Sequence, residues 1–282
     1  MTTTLRPTGP EGRDAEGRRS RAYEIRVNSR PVGALTLRGP SETGPPFGTI
    51  EHLRVEEGDR RRGRGTVAAL AAEEILRGWG CTHVEARSAA AAGERASGDH
   101  LLSALGYAEH SLHMIKELRE RPALPPGSEA RPLRDEEFAA WWEASAATHV
   151  GGMIARGLTP AQAAAGSETA RRVRLPDGAA TPGVALRVLT CDGADVGAIW
   201  LAFTAPLPRS DVDAWIFDVN VDPARRGAGH GRSLMAVAEH ECLARSAPIL
   251  GLNVFTDNTP AVRLYTSLGY RTAERFYVKK LP

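Results

Sequence analysis

The residues best placed to do chemistry lie in Asp218–Arg232, which reads D-V-N-V-D-P-A-R-R-G-A-G-H-G-R. Gly227, Gly229 and Gly231 alternate with small or polar residues, and Arg225, Arg226 and Arg232 flank them. Glycine reaches positive φ and leaves no side chain between backbone and ligand. A helix starting near Gly229 would aim its free N–H groups and the positive end of its dipole at that ligand, which suits a pyrophosphate. The pattern therefore points to an anion-binding loop for a nucleotide-like cofactor. A plain tight strand-to-helix connection would use the same residue types. Cys81, Cys191 and Cys242 stand far apart, their number is odd, and no metal-ligand spacing occurs, so no metal is expected and the thiols read as free in a reducing cytoplasm.

The elements around this loop follow from periodicity. Before it, Val184–Thr190, Val196–Phe203 and Ala214–Val221 read as strands. After its helix, Ile249–Phe255 is a strand, Thr259–Leu268 a short helix stopped by Gly269-Tyr270, and Ala273–Val278 a last strand. Two helices precede these strands, one over Arg134–His149 carrying Phe138, Trp141 and Trp142. The other opens at Thr159-Pro-Ala-Gln162, with Thr as N-cap, Pro at the first helical position and Gln at the capping-box position. The tryptophans are expected in packing rather than in substrate stacking, and Cys242 as a small buried apolar residue. His230 is expected to be a solvated side chain.

The first part of the chain has its own strands at Ala22–Val27, Val32–Leu37 and Thr49–Val55, then an Arg-rich turn over Asp59–Gly65 and an Ala/Leu-rich helix. Cys81–Arg87 and His110–Leu118 read as further strands around a short helix at Gly98–Ala104. Residues 1–21 are polar and expected to be disordered. The Pro/Gly-rich residues 120–130 are expected to be a linker. The expected domains are therefore 22–119 and 131–282, in line with a length of 282 residues.

The two halves repeat. Val32-Gly33-Ala34-Leu35 recurs 164 positions on as Val196-Gly197-Ala198-Ile199, and Arg62-Gly63-Arg64-Gly65 recurs 164 positions on as Arg226-Gly227-Ala228-Gly229. Leu105-Gly106-Tyr107 recurs 163 positions on as Leu268-Gly269-Tyr270. The fold class is α/β, in two tandem copies of one unit, each a mixed twisted sheet flanked by helices. In this alignment the first copy is truncated and degenerate. It lacks the two opening helices, its turn after Val55 is two residues longer, Val67 replaces the last small loop residue, Leu102 stands where Tyr265 does, and Arg95 where Asn258 does.

The second copy resembles the GCN5-related N-acetyltransferase (GNAT) family. The family's loop pattern, Arg/Gln-x-x-Gly-x-Gly/Ala, is met by Arg226-Gly227-Ala228-Gly229-His230-Gly231. Its helix pattern, Asn-x-x-Ala-x-x-Leu-Tyr-x-x-x-Gly-Phe/Tyr, is met by Asn258, Ala261, Leu264, Tyr265, Gly269 and Tyr270. The tandem layout is also similar to that of the mycothiol synthases, although no substrate motif of those enzymes stands out.

The resemblance implies acetyl-CoA in a cleft where the strands ending at Val221 and beginning at Ile249 splay apart. Its pantetheine would pair with the backbone of Val219, Asn220 and Val221. Its pyrophosphate would sit on the loop of Arg226, Gly227, Ala228, Gly229, His230, Gly231 and Arg232. Asn258 would cap the short helix and touch the pantetheine. An amine would attack the thioester directly, with an amide near Val219 stabilising the oxyanion. Tyr265 would protonate the leaving thiolate, and Asp218 would take the amine proton through water, since Asn220 on the same face cannot.

The implied activity is acetyl transfer to a small-molecule amine, such as an antibiotic or secondary-metabolite intermediate. Two alternatives stand: a non-catalytic acyl-CoA-binding or sensing protein, and acyl transfer to a protein lysine. The first copy is expected to be catalytically silent. A net charge of +2 argues against a nucleic-acid partner, and no apolar run reaches membrane-span length. A cytoplasmic monomer or homodimer is expected.

Overall fold

The computed structural model describes residues 2–13, 17–40, 46–89, 96–155, 158–204 and 206–282. Arg95, aligned above with Asn258, lies outside them. The chain divides into two units, one of Met1–Leu112 with Ala273–Pro282 and one of His113–Thr272.

The first unit begins with strands β1 (Thr3–Pro7), β2 (Gly12–Arg13), β3 (Arg19–Val27), β4 (Arg30–Arg38) and β5 (Phe47–Val55). Helix α1 (Arg64–Gly78), strand β6 (His83–Ala89), helix α2 (Ser97–Ala104) and the start of β7 (Ala108–Glu117) follow. Asn28 and Ser29 take φ of 48° and 71°, the left-handed pair that a two-residue hairpin turn needs to match strand twist. The sheet order is β1-β3-β4-β5-β6 and then the chain's last strand, Arg271–Lys280. Ile25, Val32, Leu35, Leu37, Leu76 and Val84 form the core.

Two expectations are corrected here. Among the described residues of 1–21, Thr3–Pro7 and Gly12–Arg13 are strands where disorder was expected. Thr3–Pro7 pairs antiparallel with β3, and Leu5 packs on the core, so the segment satisfies backbone groups that the edge of β3 would otherwise leave open. A cut at residue 119 also fails, because the last strand pairs antiparallel with β6. Its Tyr277 is buried in the first unit's core and donates its hydroxyl to Asp99 Oδ1 at 3.0 Å, and Lys279 Nζ meets Glu73 Oε2 at 2.7 Å.

The turn after β5 corrects the alignment of the two loops. Gly63 and Gly229 are both left-handed N-caps, with φ of 73° and 89°. Arg60 Nε donates to Val55 O at 2.9 Å, as Arg226 Nε does to Val221 O at 3.3 Å. The loops therefore correspond 166 positions apart and are equal in length. Gly65, not Val67, matches Gly231, and Arg60-x-x-Gly63-x-Gly65 keeps the whole loop pattern. Leu102 does correspond to Tyr265, since each accepts the N–H of the tyrosine closing its helix.

The second unit opens with β8 (Ser128–Pro132), α3 (Asp135–Ala155) and α4 (Pro160–Arg174). Its sheet continues with β9 (Val184–Cys191), β10 (Ala194–Ala202) and β11 (Ala214–Val221), then α5 (His230–Ala244), β12 (Ile249–Phe255) and α6 (Thr259–Ser267). β8 takes up the end of the expected linker, pairing Ser128–Pro132 with Cys191–Arg187. The capping box of α4 is formed, with Thr159 N donating to Gln162 Oε1 at 3.1 Å and Gln162 N to Thr159 Oγ1 at 3.3 Å. The strand order is β7-β12-β11-β10-β9-β8. α5 buries Leu234, Met235, Val237 and Ala238 against β9, β10 and β11. Trp141 and Trp142 pack beside Trp200, with ring centroids 6.1 and 6.3 Å away.

Candidate functional site

The site begins with a fault in strand pairing. Along β10, Trp200 faces Asp218 and Leu201 faces Ile216, so Phe217 is an extra residue, a bulge in β11. On its other edge β11 runs parallel to β12 only from Ala214↔Leu250 to Ile216↔Leu252. Beyond that point the two strands part, and Phe217–Val221 presents unpaired backbone toward the gap. A cavity of about 550 Å³ opens there. Asp218, Val219, Asn258 and Tyr265 line it, together with Ser145 and His149 from α3.

Asp218 is held by Ser145, whose Oγ donates to Asp218 Oδ2 at 2.8 Å. Burial raises the pKa of its carboxyl above the usual aspartate value. The Ser145 hydroxyl, the charge of His149 and the Val219 N–H oppose that rise. Tyr265 is 8% exposed, and its phenol is pushed up to about 12 by burial and by the Asp218 charge. The cavity therefore holds a carboxylate shifted toward proton acceptance beside a phenol that stays protonated through the neutral range. Asn258 Oδ1 accepts from Ala261 N at 3.2 Å and caps α6, which fixes Tyr265.

The loop before α5 turns on two left-handed glycines. Gly227 and Gly229 have φ of 83° and 89°, and α5 begins directly after Gly229. Nothing stands within 4 Å of where a Cβ on either glycine would lie. Gly231 has a different reason, since a Cβ there would come 3.1 Å from Leu264 Cδ2, so this glycine lets α6 close on α5. Arg232 Nη2 ties the same helices together by donating to Ser267 Oγ at 2.8 Å.

Ala228, Gly229, His230 and Arg232 line a second cavity of about 360 Å³, which the Lys116–Glu239 ion pair borders. Asn220, Val221, Arg226, Gly227 and Gly231 line neither cavity. Cys242 is fully buried and its thiol is raised to about 12 by burial, as befits a packing residue. Among the described residues no group of His, Cys, Asp and Glu is arranged to hold a metal, and no helix is long and apolar enough to cross a membrane.

Ser145, Thr148, His149 and Gly152, at helical spacing on one face of α3, are cavity residues that the sequence reading passed over. A polar stripe on a helix otherwise rich in tryptophan and alanine was the available signal. The bulge at Phe217 carries no sequence mark.

The family model described as "Acetyltransferase (GNAT) family" matches the chain twice, over residues 4–106 and 176–270. A protein named mycothiol acetyltransferase from Streptomyces bingchenggensis (strain BCW-1) is 28% identical over 281 residues, covering 92% of this chain and 81% of the relative. Its namesake from Kineococcus radiotolerans (strain ATCC BAA-149 / DSM 14245 / SRS30216) is 30% identical over 240 residues, covering 83% of this chain and 73% of the relative. The solved structure of a tandem GNAT protein from the clavulanic acid biosynthesis pathway superposes with a TM-score of 0.52 at 22% identity, covering 93% of this chain and 82% of that one. That last likeness is one of fold.

Proposed function

Because the chain belongs to the GNAT acetyltransferase family, as a tandem of two such units, we propose that its second unit moves an acetyl group from acetyl-CoA to the amine of a small polar molecule. The observation that carries this is that Asp218 and Tyr265, a carboxyl able to take a proton and a phenol able to give one, line the same cavity. Acetyl-CoA supplies the thioester carbonyl that the amine attacks. Val219–Val221 would hold its pantetheine as an added strand, and the amides at the start of α5 its pyrophosphate.

Asp218 takes a proton from the acceptor's ammonium, directly or through one water, so that the neutral amine attacks, and Ser145 and His149 keep the carboxylate competent to do so. Tyr265 gives its Oη proton to the departing sulfur. The cavity wall is mixed, with Ser145, Thr148, His149, Asn253 and Asp257 among apolar residues such as Ile216, Phe217 and Leu252, which suits an acceptor carrying several polar groups. The name shared by the relatives puts a mycothiol-type acceptor first in any panel. In the first unit Leu102 stands at the tyrosine position and cannot supply a proton, so that unit keeps the loop without the acid.

The test is release of free thiol from acetyl-CoA over an amine panel, with the acetylated product identified by mass. Product formation that slows by about 10²-fold or more in each of Asp218→Asn and Tyr265→Phe supports the assignment. Tight acetyl-CoA binding without turnover of any amine would favour a binding or sensing protein instead.

A further inference from the structure

Arg174 closes α4, and its surroundings set it apart from the other half-buried arginines of the second unit. Arg131, Arg187 and Arg209 each meet a carboxylate at 2.7 Å. The Arg174 guanidinium meets no carboxylate and makes no hydrogen bond among the described residues. It lies instead over an aromatic face, its Cζ 4.2 Å from the centroid of Phe217. A cavity of about 270 Å³ opens at this guanidinium, walled by Thr181, Pro182, Thr204, Pro206 and Phe217. Val173, on the same rim, is 65% exposed. Five fixed donors with one flat face covered by a ring remain available at their edges, which suits a carboxylate or a phosphate.

This cavity adjoins the catalytic one. Phe217, the bulge residue next to Asp218, lines both. The loop after β10 also borders both, through Pro206 on one side and Pro208 on the other. We propose that Arg174 and its cavity form a subsite for an acidic group, carboxylate or phosphate, carried by the acceptor whose amine lies at Asp218. The proposal rests on the acetyltransferase reading and narrows its acceptor to amines that bear an anionic group. Burial at Arg174 disfavours its charged form, which an incoming anion would relieve. Phe217 is then both the floor of the amine site and the plate that orients the guanidinium.

The experiment is calorimetric titration of the full chain, saturated with coenzyme A, by pairs of amines that differ in an acidic group. Suitable pairs are ethanolamine with phosphoethanolamine, cadaverine with lysine, and glucosamine with glucosamine 6-phosphate, with inorganic phosphate as a separate arm. The acidic member of at least one pair is expected to bind at least tenfold more tightly. Arg174→Gln is expected to erase that preference with an unchanged melting midpoint, and Arg174→Lys to keep part of it. No preference in any pair, or a preference that survives in Arg174→Gln, overturns the proposal. Binding of inorganic phosphate at Arg174 without any pair preference also overturns it, because the anion would then be independent of the acceptor. A preference lost in Arg174→Gln while no amine is acetylated would sink the acetyltransferase reading alone. Acetylation without a preference would sink the subsite alone.

Discussion

Gly197→Ala is a small change aimed at the strand proposed to carry the pantetheine. Gly197 lies opposite Val221 in the β10/β11 pair. A Cβ built there falls 2.4 Å from Asn220 O and 3.1 Å from Val221 Cα, both backbone atoms that cannot rotate away. Ordinary C···O contacts begin at about 3.3 Å, so the carbonyl must retreat by about 0.9 Å. That displacement falls on Asn220 and Val221, and a misplacement of about 1 Å costs on the order of 100-fold in rate.

Overpacking of this kind also destabilises by about 1–3 kcal/mol, or roughly 2–4 °C of melting midpoint per kcal/mol at this chain length. Gly33→Ala is the internal control, since its Cβ would fall 2.2 Å from Arg54 O in the first unit. Steady-state thiol release and acetyl-CoA titration, both run well below either melting midpoint, separate the two effects. Gly197→Ala should lose about 100-fold in kcat/KM for acetyl-CoA, while Gly33→Ala loses comparable stability and stays within about threefold in rate. Equal rate losses in the two variants, or a Gly197→Ala enzyme with wild-type affinity and rate, would refute the placement of the cofactor on β11.

Other perturbations have defined outcomes. Tyr265→Phe should lower kcat by about 10²-fold or more with acetyl-CoA affinity retained, and its phenol, held at about 12, should give the wild type no descending limb below pH 10. Asp218→Asn should remove the ascending limb of the pH–rate profile, which in the wild type lies above the usual aspartate range. Because the folded carboxyl is raised, the wild type loses stability as pH climbs from the ordinary aspartate value through the raised one. Asp218→Asn should therefore melt higher than wild type at neutral pH and gain nothing at pH 3, a difference that scanning calorimetry reads. Glu239→Gln should cost about 3 kcal/mol in denaturant titration, because the buried Glu239 accepts Lys116 Nζ at 2.6 Å.

The candidate site residues were largely legible because their geometry is local. A left-handed Gly229, an N-cap at Asn258 and a Gly-stop after Tyr265 are each set within a few positions of chain. What escaped depends on distant partners. The bulge at Phe217 exists only relative to β10, and the contact of Ser145 with Asp218 spans 73 positions. The place of the last strand beside β6 has no trace in its own alternation. The misaligned first loop has a different cause, because glycines alternating with arginines look the same after a shift of two residues. The N-cap positions of Gly63 and Gly229 and the matching hydrogen bonds of Arg60 and Arg226 resolve the register, and they restore a complete loop to the first unit.

The central claim is that the cavity at the parting of β11 and β12 is where acetyl transfer occurs, with Asp218 and Tyr265 moving the protons. The most direct measurement is single-turnover formation of acetylated amine by the wild type, Asp218→Asn, Tyr265→Phe and the double variant, each preloaded with acetyl-CoA. The account predicts wild-type product, at least a hundredfold slower product in each single variant, and normal acetyl-CoA loading in all four. Full-rate acetylation by the double variant would contradict it.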